Sequence, residues 1–156
     1  MKKISVSGGR FAIIDDDDYT LISQYTWTYH SAGYAYRTTP RPNPKMVLMH
    51  RHVMNAESGI EVDHINGNRL DNRKSNLRFC TSTQNKANMK IRKDNTTGYK
   101  GVSIDKRNGK FQAYININGK RCSLGMYNKL DDAAKAYNKK AVELFGDFAR
   151  LNKVGT

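Results

Sequence analysis

The sequence predicts an α+β chain: a β-rich N-terminal segment leading into a compact ββα unit, then a three-stranded antiparallel sheet packed on one helix. Three observations carry that prediction. Aromatic and apolar residues alternate with small polar ones through YTWTYH, GYAYRTT and KFQAYININ, the period-2 pattern of half-buried strands. Apolar residues recur at helical spacing late in the chain, from Ala133 to Phe145. Asn-Gly pairs at 108–109 and 118–119 supply the two-residue turns that an antiparallel meander needs.

Taken in order, RFAII is a short strand that stops at Asp15 to Asp18. These four aspartates lack the spaced acids, glycine and closing glutamate of a calcium loop, and they read as a solvated turn. YTWTYH and GYAYRTT flank Ser31 to Gly33 as a hairpin, and the three prolines of TPRPNP end the strand region in an extended linker. KMVLMHRHVMNAE reads as a short strand entering a helix that carries His50 and His52. Two residues apart on a helix, they face different ways, and the simplest role for one of them is packing in a small core.

EVDHINGN starts as a strand and ends as a turn, RLDNRKSN is a polar loop, and LRFC, Leu77 to Cys80, is a second short strand. Thr81 with Gln84 three residues later marks a helix start, and the helix runs to about Ile91. Residues 61–91 therefore form the ββα unit. The polar stretch IRKDNTTG joins two domains, dividing 1–92, with 1–45 as its β-rich extension, from 93–156. Beyond it YKGVSID, KFQAYININ and KRCSLGMY are three strands. A helix follows, capped by Asp131 or Asp132, with Ala133, Ala134, Tyr137, Ala141, Leu144 and Phe145 on its apolar stripe and Gly146 as its stop.

Composition bounds the function. With 156 residues and 38% hydrophobic content, any core is small or divided. No apolar run approaches a membrane span, and the start lacks a secretory signal. Cys80 and Cys122 stand alone, which suggests neither a disulfide framework nor a structural zinc site and fits a reducing cytoplasm. Lysine and arginine number 27 against 14 acids, and the pI of about 9.8 favours a polyanionic partner. Seven basic and five acidic residues lie in 1–57, eight and three in 58–93, and twelve and six in 94–156, so the polyanion is expected to bind beyond residue 57.

The chemistry concentrates at Asp63 and His64, with Asn72, Asn76 and Asn85 downstream. A carboxylate and an amide oxygen make a partial shell for a hard cation such as Mg²⁺, which keeps positions open for water and phosphate. A neutral histidine beside it takes the proton from an attacking water. Side chains of adjacent strand residues diverge, so His64 is expected on the water side and Asp63 on the side of Asn85 and the metal.

The run VDHINGN, then NLR, then TSTQN, resembles the HNH nuclease motif in the variety found in homing endonucleases of phages and self-splicing introns. The resemblance implies a ββα-metal fold in which Asp63 and Asn85 bind a divalent cation, Mg²⁺ or another such as Mn²⁺. It makes His64 the general base and Asn76 the residue that braces the loop or orients the histidine. LMHRHVM resembles the upstream part of such domains, which places His50 and Arg51 in active-site support. The setting implied is the cytoplasm of a bacterial or phage-infected cell.

YKGV, GKFQAYI, SLGMY, AAKAYNKKA and FGDFARLN together resemble the ethylene-response-factor, or APETALA-type, DNA-binding domain over residues 96–152. That likeness implies a sheet whose outer face contacts double-stranded DNA. Alternation puts Phe111, Ala113, Ile115 and Ile117 on the core face of the middle strand, and Gln112, Tyr114, Asn116 and Asn118 on the other. Lys100, Lys106, Arg107, Lys110 and Arg121 add phosphate or guanine contacts. Ser103 and Ser123 stand where the plant proteins carry larger groups, so base preference does not transfer.

The expected activity is a metal-dependent, site-directed DNA endonuclease that nicks its substrate as a monomer. Two rivals remain at this stage: a non-catalytic, sequence-specific DNA-binding regulator on a degenerate nuclease scaffold, and an RNA-binding module. Cleavage of plasmid DNA separates the first from both.

Overall fold

Two strands laid edge to edge open the chain: β1 (Lys2–Val6) pairs antiparallel with β2 (Arg10–Ile14), Ile4 opposite Ala12. Ile4, Val6, Ala12 and Ile14 point inward and are buried, every second residue as pleating requires. β1 was not among the strands expected from the sequence. Lys2, Lys3 and Ser5 are exposed, so only two apolar residues announce it. The computed structural model describes residues 1–155, and the chain is α+β, divided into two compact units, Met1–Thr81 and Ser82 onward.

In the first unit, Asp16–Asp18 form a 3-10 turn leading into α1 (Tyr19–Ser23). The aspartate run is not simply solvated. Asp18 is buried and paired with Lys74 Nζ at 2.6 Å, and Asp15 accepts a hydrogen bond from Lys74 N at 2.8 Å. The acids read as a solvated turn because their partner lies far along the chain.

β3 (Thr28–Tyr29), β4 (Ala35–Thr38) and β5 (Met46–Leu48) form an antiparallel sheet in the order β3-β4-β5, with the expected turn at Ser31 to Gly33. α2 (Met49–Val53) follows directly. β6 (Glu61–His64) and β7 (Leu77–Cys80) pair antiparallel, Asp63 opposite Arg78 and His64 opposite Leu77. The core of this unit joins Ile4, Val6, Ala12, Ile14, Ile22, Trp27, Ala35, Met49, Val53, Val62 and Leu77. Each large side chain here contributes about 1.5–3 kcal/mol over leaving it exposed. The buried Trp27 indole is satisfied by donating to Ile22 O at 2.9 Å.

In the second unit, α3 (Ser82–Asn88) ends before the expected Ile91. Its carbonyl end is met by two cations: Lys100 Nζ bonds Lys86 O, Ala87 O and Met89 O, and Arg150 Nε donates to Asn88 O at 2.6 Å. The domain limit expected at 92 lies beyond the division at 81/82, and this hold on α3 ties it to the second unit.

β8 (Val102–Asp105), β9 (Lys110–Ile117) and β10 (Lys120–Tyr127) form the antiparallel meander in the order β10-β9-β8. Asn118 and Gly119 have φ of 49° and 80°, the left-handed pair of a tight hairpin.

α4 (Leu130–Phe145) lays Ala133, Ala134, Tyr137 and Ala141 on the sheet. A Cβ on Gly101 would stand 2.0 Å from the Tyr137 ring, so only glycine admits that packing. Two expectations for this helix are corrected. Lys129 occupies the cap position, leaving Asp131 and Asp132 in the first turn, where Asp131 accepts the Tyr99 hydroxyl at 2.7 Å. Leu144 is exposed, one residue off the buried stripe. Among the described residues no helix is long and apolar enough to cross a membrane.

Candidate active site

β6 carries three buried residues in a row, Val62, Asp63 and His64. Neighbours on a strand leave it in opposite directions, and here each polar one meets its own set of partners. Asp63 Oδ2 accepts from Arg78 Nε at 3.1 Å and Nη2 at 2.9 Å, across the β6-β7 ladder. His64 turns instead to Asn72, His50 and Tyr34.

His64 Nε2 lies 3.2 Å from Asn72 Oδ1. The rest of that amide decides what the contact means. Asn72 is fully buried, and its Nδ2 donates to Leu70 O and to Met49 Sδ, each at 3.3 Å. The oxygen is therefore the edge facing the ring, so Nε2 carries the proton and the basic lone pair sits on Nδ1. Burial pushes this imidazole below its ordinary range, while the Asn72 bond and the Asp63 charge push it back up.

Asn76 braces the loop between the strands. Its Oδ1 accepts from Asn66 N at 3.0 Å, its Nδ2 donates to Asp71 O at 2.8 Å, and its own carbonyl accepts from Ile65 N at 2.9 Å. Asp71 is gripped by both arms of Arg73 at 2.7 Å and by Asn66 Nδ2 at 2.9 Å, and the Arg73 guanidinium holds its carboxyl below the usual carboxylate range. β2 holds the loop from outside: Ile13 N donates to Leu70 O, and Ile13 O accepts from Asn72 N, both at 2.7 Å. The imidazole's partner is thus Asn72, while Asn76 shapes the loop that carries it.

His50, from α2, is buried and its ring centroid stands 4.9 Å from that of His64. Its Nδ1 is buried with no hydrogen-bond partner, and burial, reinforced by the neighbouring His64, Arg51 and Arg69, pushes its pKa down to about 3. Arg51, the other residue of that pair, commits its guanidinium to the carbonyls of Ala56, Glu57 and Ile60 and fastens the loop after α2. His52 packs near Tyr25 and Trp27.

Two residues that sequence reasoning did not single out join the cluster. The Tyr34 ring lies 5.1 Å from His50 and 6.0 Å from His64, and the Arg69 guanidinium sits 4.5 Å over that same ring. No spacing rule reaches from a hairpin in the N-terminal extension to this strand. The local cue was Arg69's place in the loop that begins at the His64 turn.

In the second unit, Asn85 lies half-buried on α3. The outer face of the sheet gathers several of the expected DNA-contacting residues into one network. Arg121 stacks on Tyr114, its Cζ 3.4 Å from the ring centroid, and its Nη2 donates to Ser103 Oγ at 3.1 Å and Gln112 Oε1 at 3.4 Å. Ser123 stands opposite Tyr114 and Asn116 opposite Arg121. Lys106 and Lys110 are exposed, and Arg107 is paired with Asp105 at 3.0 Å. Lys100 departs from this group: its ammonium is turned into the carbonyl end of α3, and burial, with Arg150 nearby, pushes its pKa down to about 8.

Residues 47–87 match the HNH endonuclease family. Over 152 residues the chain is 34% identical to a protein of Acanthamoeba polyphaga mimivirus described as an uncharacterized HNH endonuclease, an alignment covering 94% of this chain and 76% of that one. Over 93 residues it is 36% identical to Protein 3.8 of Escherichia phage T7, covering 60% of this chain and 76% of that protein. No solved structure matches the chain.

Proposed function

The chain belongs to the HNH endonuclease family and is a DNA endonuclease, and from that premise we propose that it is metal-dependent and site-directed, a homing or mobile-element nuclease that nicks one strand per engagement. His64 is its general base. The observation that carries this reading is the bond to Asn72, which puts the proton on Nε2 and the lone pair on Nδ1 of a buried imidazole. Nδ1 takes a proton from water as the water oxygen bonds to phosphorus. The P–O3′ bond breaks on the opposite side, giving a 5′-phosphate and a 3′-hydroxyl that is protonated by solvent.

By motif position, Asp63 and Asn85 hold the divalent cation, Mg²⁺ or Mn²⁺. The donor chemistry fits a hard ion. Both residues offer oxygen atoms, the donors such an ion takes. When bound, the ion supplies charge stabilisation to the phosphate and the leaving oxygen.

One ββα unit per chain cuts one strand per engagement, so a nick is the product when the protein acts as a monomer. The outer face of β8 to β10 is the DNA reader, in the manner of the APETALA-type domain its sequence resembles. The Arg121–Tyr114–Ser103–Gln112 network supports this, because a fixed guanidinium on an exposed sheet suits a base edge or phosphate.

The test uses supercoiled plasmid bearing a site the protein binds. Wild-type protein with Mg²⁺ should convert it to the relaxed form. Chelator should stop the reaction, and His64→Ala should slow it by about 10²–10⁴-fold. Binding without cutting returns the chain to the DNA-binding-regulator reading. Cutting by His64→Ala at the wild-type rate removes His64 as the base.

A further inference from the structure

We infer that Arg69 is a clamp for the phosphate cut by this enzyme, held ready by the hairpin of the N-terminal extension. The inference deepens the reading of His64 as base and rests on it.

Arg69 is exposed, and among the described residues it has no carboxylate partner, whereas Arg73 and Arg78 of the same unit each hold one. Its guanidinium is nonetheless fixed. Nη1 donates to Ala32 O, the plane lies 4.5 Å over the Tyr34 ring, and its stem packs on Gly33, where a Cβ would stand 3.5 Å from Arg69 Cδ. The remaining donors of the fork are left for a ligand.

What ligand follows from position. The ring that Arg69 covers is the same one that flanks His50 and His64. An unneutralised guanidinium beside a base that activates water against phosphorus is placed to take a non-bridging phosphate oxygen, with the bidentate fork that arginine offers and lysine lacks. The loop that carries it cannot easily drift, because Asn76, the Asp71–Arg73 pair and Ile13 fasten it at several points.

This also gives the first forty residues a task. Ala32 O, Gly33 and Tyr34, all in the β3-β4 turn region, set the height and tilt of the clamp. The extension thereby contributes to chemistry conducted on the ββα unit.

The experiment compares wild type, Arg69→Gln, Arg69→Lys and His64→Ala on a supercoiled plasmid bearing a bound site, reading cleavage with Mg²⁺ and, separately, DNA affinity against salt in chelator. Arg69→Gln should cut on the order of 100-fold more slowly, the loss typical of one donor to developing charge. Its log affinity should fall less steeply with log salt, by about 0.9, as for one phosphate contact. A purely structural arginine would not change that slope by one contact. Arg69→Lys keeps the charge and the slope but cuts at an intermediate rate, and millimolar guanidinium should partly restore Arg69→Gln. If wild type and both variants cut alike, or the slope of Arg69→Gln is unchanged, the clamp is overturned while the base assignment stands. If wild type binds and leaves the plasmid intact, the cleavage reading fails and takes the clamp with it. Arg69→Lys preserves stem and charge, so its cutting at the wild-type rate overturns the fork even if Arg69→Gln folds poorly.

Discussion

The imidazoles of His50 and His64 meet edge to face, centroids 4.9 Å apart and planes at 67°. They arrive from a helix and a strand and share one buried patch, where two positive rings could not be held together. His50 is the one that stays neutral. With its pKa pushed down to about 3 by burial, it should show no titration between pH 5 and 8 in imidazole NMR spectra. The unfolded chain binds that proton near 6.5, so the fold loses stability as pH falls from 6.5 towards 3. A His50→Leu variant should lose less stability over that window than wild type does. A normal His50 titration near 6.5 would refute the burial argument.

Asn72→Ala should lower cleavage by about 10–100-fold, the usual cost of removing the outer partner that orients a functional imidazole. It should also destabilise the fold by about 1–3 kcal/mol, because Leu70 O and His64 Nε2 lose a buried partner. Urea melts and single-turnover cutting measure the two separately. Full activity in a destabilised variant would mean that the tautomer is set elsewhere.

What was readable of this site, and what was not, divides along physical lines. Asp63 and His64 lie on the strand and Asn76 in the loop where the sequence placed them, because the turn-rich loop between two short strands fixes their spacing locally. Asn72 was visible as a residue but not as a partner, since four asparagines crowd residues 66–76 and spacing alone does not say which one faces the ring. Tyr34 was hidden because a ring contributed across a fold leaves no periodic mark. The β9 alternation and its Asn118–Gly119 turn read correctly, both being set by nearest neighbours. The buried Asp18 did not, because the Lys74 that neutralises it is remote in sequence.

Lys100→Met should loosen α3. A cation over a helix carbonyl end is worth up to about 1 kcal/mol at the surface, and Lys100 serves three carbonyls. Amide exchange should quicken through residues 82–88, with far less change in β9. Equal exchange in wild type and variant would show that Arg150 alone suffices.

Arg121→Ala should weaken DNA binding by about 1–3 kcal/mol and relax sequence preference at one position if the guanidinium reads a base. If it meets only phosphate, affinity should drop evenly across sequences and the salt dependence should flatten. Selection of bound sequences from a random pool tells these apart. Unchanged affinity would remove the sheet face from the DNA contacts.

Ile13 holds the loop at Leu70 and Asn72 with both of its backbone groups, although it lies outside the stretch that carries the family's motif. A gene segment encoding 47–87 alone would transplant every signature residue of the first unit's site, yet leave behind the strand edge on which its asparagine is hung. Any successful graft onto a foreign scaffold must therefore bring, or find, a surrogate for one β-strand.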